Sequence, residues 1–408
     1  MKILLIDVYH YYKGGAETVC LNTGKILEEH GHDVIYFALQ WDKNLPCKQD
    51  VFFPLSKETR KGFFRNVSNL IHYFYYADAA RKIEQLILDE KPDIAHIHLL
   101  WGQISPSILP VLKKHRIPIV FTMHDFRLVC PAYSFKDGHN RICEACAGEK
   151  FYKCVTHKCT KGSYFLSFFM AGEQYFRNCF FYPIKYIDGF IYVSNFTKEK
   201  IEKYMPQIKN VSNITLYNFS TEILSNSFYS SRKYFLYFGR LSYEKGVGTL
   251  MKAFAQLPEC TLKIVGTGPL ENDLNEFKQK HKLNNVEFVG YKRGGELVNL
   301  VKDAYFVIVP SECYENNPMS IVESYSTGTP VIGARIGGIP EIIIDEKTGY
   351  QFESANINSL IDIIRKADGL SVEEYKAFCQ EAINFAKLNF NHSNYYSRLL
   401  SFYNTFLK

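Results

Sequence analysis

Residues 304–326, AYFVIVPSECYENNPMSIVESYS, decide the fold class of this chain. The first third is a continuous apolar run, which is typical of a strand buried on both faces. A short polar loop follows, and a helix is expected to begin near Pro318. Proline suits the first turn of a helix, and the preceding Asn317 is expected to act as its N-cap. A buried strand, a loop and a helix in this order form half of a βαβ unit.

Two acidic residues mark this unit, Glu315 in the loop and Glu323 in the helix. The free N–H groups at a helix start favour an anion such as phosphate, which makes candidate ligands of Asn317, Met319 and Ser320. Carboxylates repel phosphate unless they bind hydroxyl groups nearby, and a nucleoside diphosphate sugar carries both kinds of group. An ordinary strand–turn–helix with solvated acids is the alternative.

Length and composition predict a globular α/β protein. The chain has 408 residues and 47% hydrophobic residues, enough for two or three domains. No apolar run reaches the roughly 18–20 residues of a membrane span. The opening stretch, MKILLIDVY, is expected to be a buried first strand instead of a signal peptide. We therefore expect a cytoplasmic protein whose eleven cysteines form no disulfide framework.

Positive charge is concentrated in residues 101–210, which contain 16 Lys and Arg against 8 Asp and Glu. The same segment is rich in aromatic residues. A basic, aromatic surface suits an anionic membrane, here the inner face of the cell membrane, or a phosphate-bearing acceptor. A solvated face with core aromatics is the alternative. Nucleic acid is not expected as a partner, because no nucleic-acid-binding motif accompanies the charge.

Short apolar runs alternate with amphipathic helical patterns along the whole chain. This alternation predicts two Rossmann-like, doubly wound parallel sheets joined by a polar linker near residues 209–232, in which 213–216 are expected to be extended. Ligands of such sheets lie at the carboxyl ends of the strands, so a cleft between two facing domains is expected. The expected strands are 3–6, 33–38, 93–97, 119–122 and 189–193, then 234–238, 261–265, 286–289, 305–309 and 330–333.

In the second half, polar and glycine residues follow the predicted strands. Arg240 and Lys245 lie five apart in FGRLSYEKG, and two cations placed together can neutralise a departing diphosphate. The next strand ends in Gly266-Thr267-Gly268, a weak signal alone. Tyr291 follows a further strand, at a place where a nucleobase could lie against backbone amides.

In the first half, Gly14 and Gly15 open the first helix, where a backbone can approach a ligand closely or simply turn. His124 ends the fourth strand. It could bond a sugar hydroxyl or phosphate, or make a structural hydrogen bond. Of the two histidines on the preceding strand, His96 is expected to be structural and His98 is left undecided.

Taken together, these motifs resemble the GT-B-fold retaining glycosyltransferases of family 4, the glycosyl transferases group 1. The resemblance covers nearly the whole chain and rests on motifs that occur in the family's order. These are Gly14-Gly15, Gly239-Arg240 with Glu244-Lys245-Gly246, Gly266-Thr267-Gly268, the pair Glu315 and Glu323, and Gly337-Gly338 with Pro340-Glu341.

The resemblance implies a role for each matching residue. Arg240 and Lys245 would hold the diphosphate of a UDP- or GDP-linked sugar, Glu315 the sugar hydroxyls and Glu323 the ribose. His124 would face the transferred sugar, and the Gly14-Gly15 loop would border the diphosphate and the acceptor. The reaction would retain the anomeric configuration without a catalytic metal, and this chain accordingly has no Asp-x-Asp motif.

The resemblance also implies the domain plan and one departure from the family pattern. The N-terminal domain would span 1–208, completed by a terminal helix at about 388–408, and the nucleotide-sugar domain would span 209–387. After Glu315 the family usually has a Gly- and Phe-containing turn, whereas this chain has Asn316-Asn317-Pro318. Pro318 removes one N–H from the expected anion site.

Five cysteines lie within thirty residues, in an insertion at about 127–162. Cys143, Cys146, Cys154 and Cys159 have spacings found in zinc sites, and Cys130 precedes them. A structural zinc site with four thiolates is the hypothesis. Free thiols, a labile disulfide or an iron–sulfur cluster are the alternatives.

The predicted function is transfer of a hexose-type sugar to a saccharide acceptor in surface polysaccharide assembly. A polyprenyl-linked acceptor is expected, because the basic, aromatic first half suits a membrane surface, and a soluble acceptor is the main alternative. Two other classes remain open: a sugar-nucleotide epimerase, which needs no acceptor, and a non-catalytic nucleotide-binding module.

Overall fold

The computed structural model describes residues 1–56, 65–224 and 234–407. The chain divides into two compact units, and each is described by itself. Unit 1 comprises Met1–Leu216 together with Tyr395–Lys408, and unit 2 comprises Tyr217–Asn394. Each unit contains one six-stranded parallel sheet flanked by helices, so the predicted α/β class with two doubly wound domains is confirmed.

The sheet of unit 1 has the strand order β2-β1-β3-β4-β5-β6. Its strands are short, and residues 3–6 of the first are at most 1% exposed, as expected for a parallel sheet covered on both faces. The strands are β1 (Lys2–Ile6), β2 (Asp33–Phe37), β3 (Ile94–Ile97), β4 (Ile119–Met123), β5 (Gly189–Tyr192) and β6 (Ser212–Thr215). The helices are α1 (Gly15–Glu29), α2 (Arg65–Phe74), α3 (Ala77–Glu90), α4 (Ile108–Lys114), α5 (Tyr152–Thr156), α6 (Tyr164–Phe180) and α7 (Asn195–Tyr204).

The sheet of unit 2 has the order β12-β11-β10-β7-β8-β9. Its strands are β7 (Tyr234–Phe238), β8 (Thr261–Val265), β9 (Val286–Gly290), β10 (Phe306–Val309), β11 (Val331–Ala334) and β12 (Gly349–Phe352). Its helices are α8 (Val247–Phe254), α9 (Glu271–Lys280), α10 (Gly295–Lys302), α11 (Met319–Ser326), α12 (Ile339–Ile342), α13 (Ile357–Asp368) and α14 (Val372–Asn389). The last helix, α15 (His392–Asn404), runs from unit 2 into unit 1.

Three details differ from the sequence-based expectation. Residues 213–216 were expected as an extended segment of the linker, but Ser212–Thr215 form β6 and pair with β5, and unit 1 continues to Leu216. Residues 225–232 of the predicted linker lie outside the described residues. The edge strand β12 was not predicted. Asn317 is not the N-cap of α11, because Pro318 occupies that position with extended backbone (φ −67°, ψ 125°).

Helix α15 is tied to unit 1 by hydrogen bonds of its tyrosines. The Tyr403 hydroxyl lies 2.6 Å from His96 Nδ1, and the Tyr395 hydroxyl lies 3.1 Å from Thr23 Oγ1. The other nitrogen of His96 lies 2.7 Å from Thr122 Oγ1. Burial lowers the pKa of His96 to about 3, so its imidazole is neutral at pH 7. His96 therefore has the structural role that was expected for it.

Substitution Tyr403→Phe should lower the free energy of unfolding by about 1–3 kcal/mol, because it leaves a buried nitrogen of His96 without a partner. Urea unfolding followed by circular dichroism measures this change. Tyr396→Phe is the matched control: its hydroxyl bonds His32 at a half-buried position, where water can replace it. Equal losses in the two variants would contradict the assigned role of Tyr403.

Candidate active site

The loops after β7 and β10 meet at the carboxyl edge of the second sheet, where these two strands lie side by side. The strand that follows β7 in the chain, β8, lies next to β7 toward one edge of the sheet, and the strand that follows β10, β11, lies next to β10 toward the other edge. The position between β7 and β10 is therefore the topological switch point of the sheet. Lys245 is in the loop after β7, and Glu315 is in the loop after β10. Lys245 Nζ lies 2.6 Å from Glu315 Oε1.

This ion pair is mostly buried, with 34% of the Lys245 side chain and 12% of the Glu315 side chain exposed. Burial acts to raise the pKa of Glu315, but the attraction of Lys245 and a hydrogen bond from Ser311 hold it below its usual value. Burial acts to lower the pKa of Lys245, and Glu315 holds it above its usual value. Both groups are therefore charged at neutral pH.

Two glycines with positive φ fix the backbone around the pair. Gly246 has φ 69°, and a Cβ there would lie 1.8 Å from the carbonyl oxygen of Pro310. Gly337 has φ 63°, and a Cβ there would lie 2.4 Å from the carbonyl oxygen of Glu315. Side chains at these positions would separate the loops. The glycines thus let the loops approach closely enough for the ion pair to form.

The loop after β8, which contains Gly266 and Gly268, packs closely on the backbone of the loop after β7. A Cβ on Gly266 would lie 1.9 Å from Gly239 O, and a Cβ on Gly268 would lie 2.3 Å from Leu241 O. Close packing of the two loops accounts for this motif by itself. Arg240, in the loop after β7, is exposed, and Tyr291 after β9 is 63% exposed.

At the start of α11, Asn317 is 6% exposed, and neither polar atom of its side-chain amide has a partner among the described residues. Its backbone carbonyl accepts a hydrogen bond of 2.8 Å from the Asn218 side chain. Met319 and Ser320 occupy the first turn of α11, while Ile321 N–H already bonds Pro318 O. An unpartnered buried amide beside a helix start fits a polar ligand better than an apolar one.

Glu323 lies in the second turn of the same helix and is partly buried. Burial raises the pKa of its carboxyl to about 7. It therefore differs from Glu315, which has a cation beside it and stays ionised. A carboxyl poised in this way can accept hydrogen bonds from hydroxyl groups.

In unit 1, the candidate residues also lie at strand ends. His98 Nδ1 lies 2.9 Å from His124 Nε2, and His98 Nε2 is buried without a partner among the described residues. Burial lowers the pKa of His124 to about 3, so it is a neutral hydrogen-bonding group and not a cation. Contact of His124 with a transferred sugar stays a prediction.

Two carboxyls lie beside Gly14 and Gly15, and sequence reasoning did not assign them. Asp7 follows β1 and is 4% exposed, and Glu17 in the first turn of α1 is 6% exposed. Burial, then the charge of Glu17, raises the pKa of Asp7; burial also raises that of Glu17. Acidic groups at this helix start suit hydroxyl groups, such as those of an acceptor. The contact of the Gly14-Gly15 loop with the diphosphate and the acceptor stays a prediction.

Sequence reasoning also missed Ser311 and Asn218. Ser311 donates a 2.7 Å hydrogen bond to the same Glu315 oxygen that Lys245 contacts. The signal available for Ser311 was its position directly after β10. Asn218 lies in a segment interpreted as a linker, so nothing in the pattern pointed to it.

The cysteines of the insertion lie together. The Cys159 N–H donates a 3.1 Å hydrogen bond to the Cys154 carbonyl oxygen, and Cys143 Sγ lies 3.1 Å from His157 Nδ1. Even so, within 1–56, 65–224 and 234–407 no three His, Cys, Asp or Glu side chains are grouped so as to hold a metal ion. The zinc site predicted at Cys143, Cys146, Cys154 and Cys159 therefore stays a prediction.

Two family models match the chain in succession. Residues 13–214 match Glycosyltransferase Family 4, and residues 219–384 match Glycosyl transferases group 1. The chain is therefore a glycosyltransferase of the GT-B fold and of the family 4 type, as the sequence motifs indicated.

Full-length relatives agree with this class. An uncharacterized glycosyltransferase of Methanocaldococcus jannaschii is 26% identical over 88% of this chain and 86% of its own. The N-acetyl-alpha-D-glucosaminyl L-malate synthase of Bacillus anthracis is 25% identical over 86% of this chain and 83% of its own.

Solved structures share the fold at low identity. Sucrose-phosphate synthase from Thermosynechococcus elongatus has a TM-score of 0.73 at 16% identity, covering 99% of this chain and 98% of its own. An Anabaena protein in complex with UDP-glucose has a TM-score of 0.65 at 17% identity, covering 99% of this chain and all of its own.

The raised pKa of Glu323 predicts a pH-dependent cost to folding. Its carboxyl is neutral in both states below about pH 4.5, and ionised in both above about pH 7. Between these values the folded state holds a proton that the unfolded state releases, so stability falls as pH rises. Wild type should therefore lose up to about 3 kcal/mol relative to Glu323→Gln over this window.

Urea unfolding of both proteins at the two ends of the window measures the difference. Glu381→Gln, on the exposed face of α14, controls for the loss of a negative charge. A difference between wild type and Glu323→Gln that does not change with pH would refute the assignment.

Proposed function

We propose that this glycosyltransferase transfers a hexose-type sugar, with retention of configuration, from a nucleoside diphosphate sugar to a saccharide acceptor. The Lys245–Glu315 pair at the switch point of unit 2 carries the proposal, because it places a cation and a carboxylate 2.6 Å apart where such sheets bind nucleotides. A diphosphate needs the cation, and sugar hydroxyls need the carboxylate. Few ligands require both at once.

Donor binding would redistribute the bonds of Lys245. Its ammonium group has three N–H donors, so it can keep Glu315 and also bind a diphosphate oxygen. Ser311 continues to donate to Glu315, which keeps the carboxylate oriented toward hydroxyl groups. As the sugar–phosphate bond breaks, charge grows on the diphosphate, and Lys245 with Arg240 would stabilise it. Glu323 and the amide of Asn317 would hold the nucleoside part of the donor.

No residue of this chain is assigned as a covalent nucleophile. Retention would follow from attack on the face that the diphosphate leaves, with a donor phosphate oxygen accepting the proton of the acceptor hydroxyl. The protein's contribution is then to position the donor and stabilise its leaving group. The donor would carry UDP or GDP, and the acceptor would be lipid-linked, as in surface polysaccharide assembly, which would put the enzyme in the cytoplasm.

Replacing Lys245 with Ala should lower kcat/KM by a factor corresponding to about 2–4 kcal/mol, the usual effect of removing a preorganised charge. Steady-state release of nucleoside diphosphate measures the change. Lys252→Ala, exposed on α8, is the matched control. Circular dichroism checks that the variant is folded, because its buried Glu315 loses a partner. Unchanged turnover in a folded Lys245→Ala protein would refute the assignment of Lys245 to the diphosphate.

Transfer, epimerisation and simple binding respond differently to an acceptor. We expect UDP- or GDP-sugars to release nucleoside diphosphate only when a polyprenyl-diphosphate saccharide is added, with an α-linked product from an α-linked donor by NMR. Conversion of the donor sugar without acceptor would instead identify an epimerase. Nucleotide binding without release, across a panel of acceptors, would identify a binding module.

A further inference from the structure

Helix α6 turns its charged residues inward and its aromatic residues outward. Its two ionisable residues other than Tyr and Cys, Glu173 and Arg177, form a buried pair with 2.9 Å between Glu173 Oε1 and Arg177 Nε. The Arg177 guanidinium also lies 4.5 Å from the Trp101 ring centroid. By contrast, Phe165 and Phe168 are 65% and 68% exposed. A helix on a water-facing surface normally has the opposite arrangement.

Three of the five exposed aromatic residues of α6 lie on one face of the helix. Phe165, Phe168 and Tyr175 recur at spacings of three and seven, which places them on the same face of an α-helix. Gly172 and Cys179 lie on that face too, so the stripe contains no charged side chain. We call these five residues the aromatic stripe.

The neighbouring helix α2 continues the apolar surface. It packs on α6 through aromatic pairs such as Phe74 with Phe169, whose ring centroids lie 5.2 Å apart. On α2 itself Ile71 is 60% exposed, and Tyr75, just after the helix, is 44% exposed and has its ring centroid 6.0 Å from that of Phe181, just after α6. Both packed helices therefore carry exposed apolar side chains, and exposed apolar surfaces larger than a single residue usually mark an interaction site.

The charge around the aromatic stripe is positive. Residues 150–187 contain one acidic residue, the buried Glu173, and one arginine, its buried partner. The same segment contains the five lysines Lys150, Lys153, Lys158, Lys161 and Lys185. Lys158 Nζ lies 4.4 Å from the Tyr164 ring centroid, at the first turn of α6. The exposed Glu149 just precedes the segment and bonds Asn178.

The exposed aromatic rings and the surrounding lysines together indicate which partner could cover the aromatic stripe. A second copy of the chain, packed about a twofold axis, would place this positively charged surface against an identical positively charged surface, which is unfavourable. An anionic bilayer satisfies both features. Its headgroup region accommodates aromatic rings, and its phosphates attract the flanking lysines.

We propose that α6 is an interfacial helix, whose aromatic stripe inserts among the headgroups of an anionic lipid bilayer while the flanking lysines bind lipid phosphates. Among the described residues, no helix could span a bilayer. The inference deepens the proposed function and rests on it for its purpose, since a lipid-linked acceptor is met at such a surface.

Flotation of the whole protein with phosphatidylcholine vesicles, with and without phosphatidylglycerol, tests the proposal. Wild type should bind the anionic vesicles at low salt and bind the neutral ones much more weakly. The double variant Phe165→Ser/Phe168→Ser should bind at least about tenfold more weakly, because two exposed rings no longer leave water. Lys158→Gln/Lys161→Gln should lose about fivefold per lysine, and its binding should depend less on salt.

Matched controls lie in unit 2: Leu388→Ser at a 73% exposed apolar position and Lys280→Gln at an exposed lysine. Both should bind vesicles as wild type does. Absence of wild-type binding, or equal binding by the Phe165→Ser/Phe168→Ser variant, would overturn the proposal. Concentration-dependent self-association without vesicles, abolished by that variant, would also overturn it by making a second copy the occupant.

Nucleotide binding separates this proposal from the proposed function. Calorimetric titration with UDP and GDP probes unit 2 and should give equal affinity in wild type and the α6 variants. Loss of vesicle binding with nucleotide binding intact supports the interfacial helix. If neither nucleotide binds any of the proteins, the proposed function fails, whatever the vesicles show.

Discussion

The Lys245–Glu315 ion pair depends on a close approach of two backbones, and the arrangement of unit 2 follows from that approach. A buried carboxylate is costly unless a cation and further donors satisfy it. Here Lys245 and Ser311 both reach the same carboxylate oxygen, and glycines at positions 246 and 337 remove the side chains that would keep the loops apart. The pair is thereby held in place before any ligand arrives. Preorganised charge of this kind needs little rearrangement when a donor binds.

Unit 1 uses neutral groups where unit 2 uses charges. Burial keeps His96 and His124 uncharged, and the acidic pair Asp7 and Glu17 holds protons more tightly than usual. Such groups donate and accept hydrogen bonds without attracting an anion strongly. This difference suits a division in which one sheet binds the charged donor and the other meets a hydroxyl-bearing acceptor.

Much of the fold could be predicted because its strands are continuous apolar runs separated by helical patterns. The segment that forms β6 was expected to be extended but was assigned to the linker, because Ser212–Thr215 is largely polar and lies at the sheet edge, where pairing with β5 makes it a strand of the sheet. The family motifs that follow β7 and β10 implied that Lys245 and Glu315 bind the same ligand, but the direct ion pair between them was not predicted. Asn218 and Asp7 could not be recognised, because their importance arises from burial and from partners distant in sequence. The N-cap of α11 shifted by one residue, since propensity alone does not locate a helix end.

The return of α15 to the first sheet has a consequence for biosynthesis. All of unit 2 is translated between the two parts of unit 1, and domains of most multidomain proteins fold in the order in which they emerge. Here the hydroxyl that forms the hydrogen bond with His96 belongs to Tyr403, which is translated after unit 2. The core of unit 1 can therefore be completed only after all of unit 2 has been synthesised. Until α15 has been synthesised, the surface of unit 1 that this helix covers would be exposed. Chaperones would recognise the nascent protein in this state.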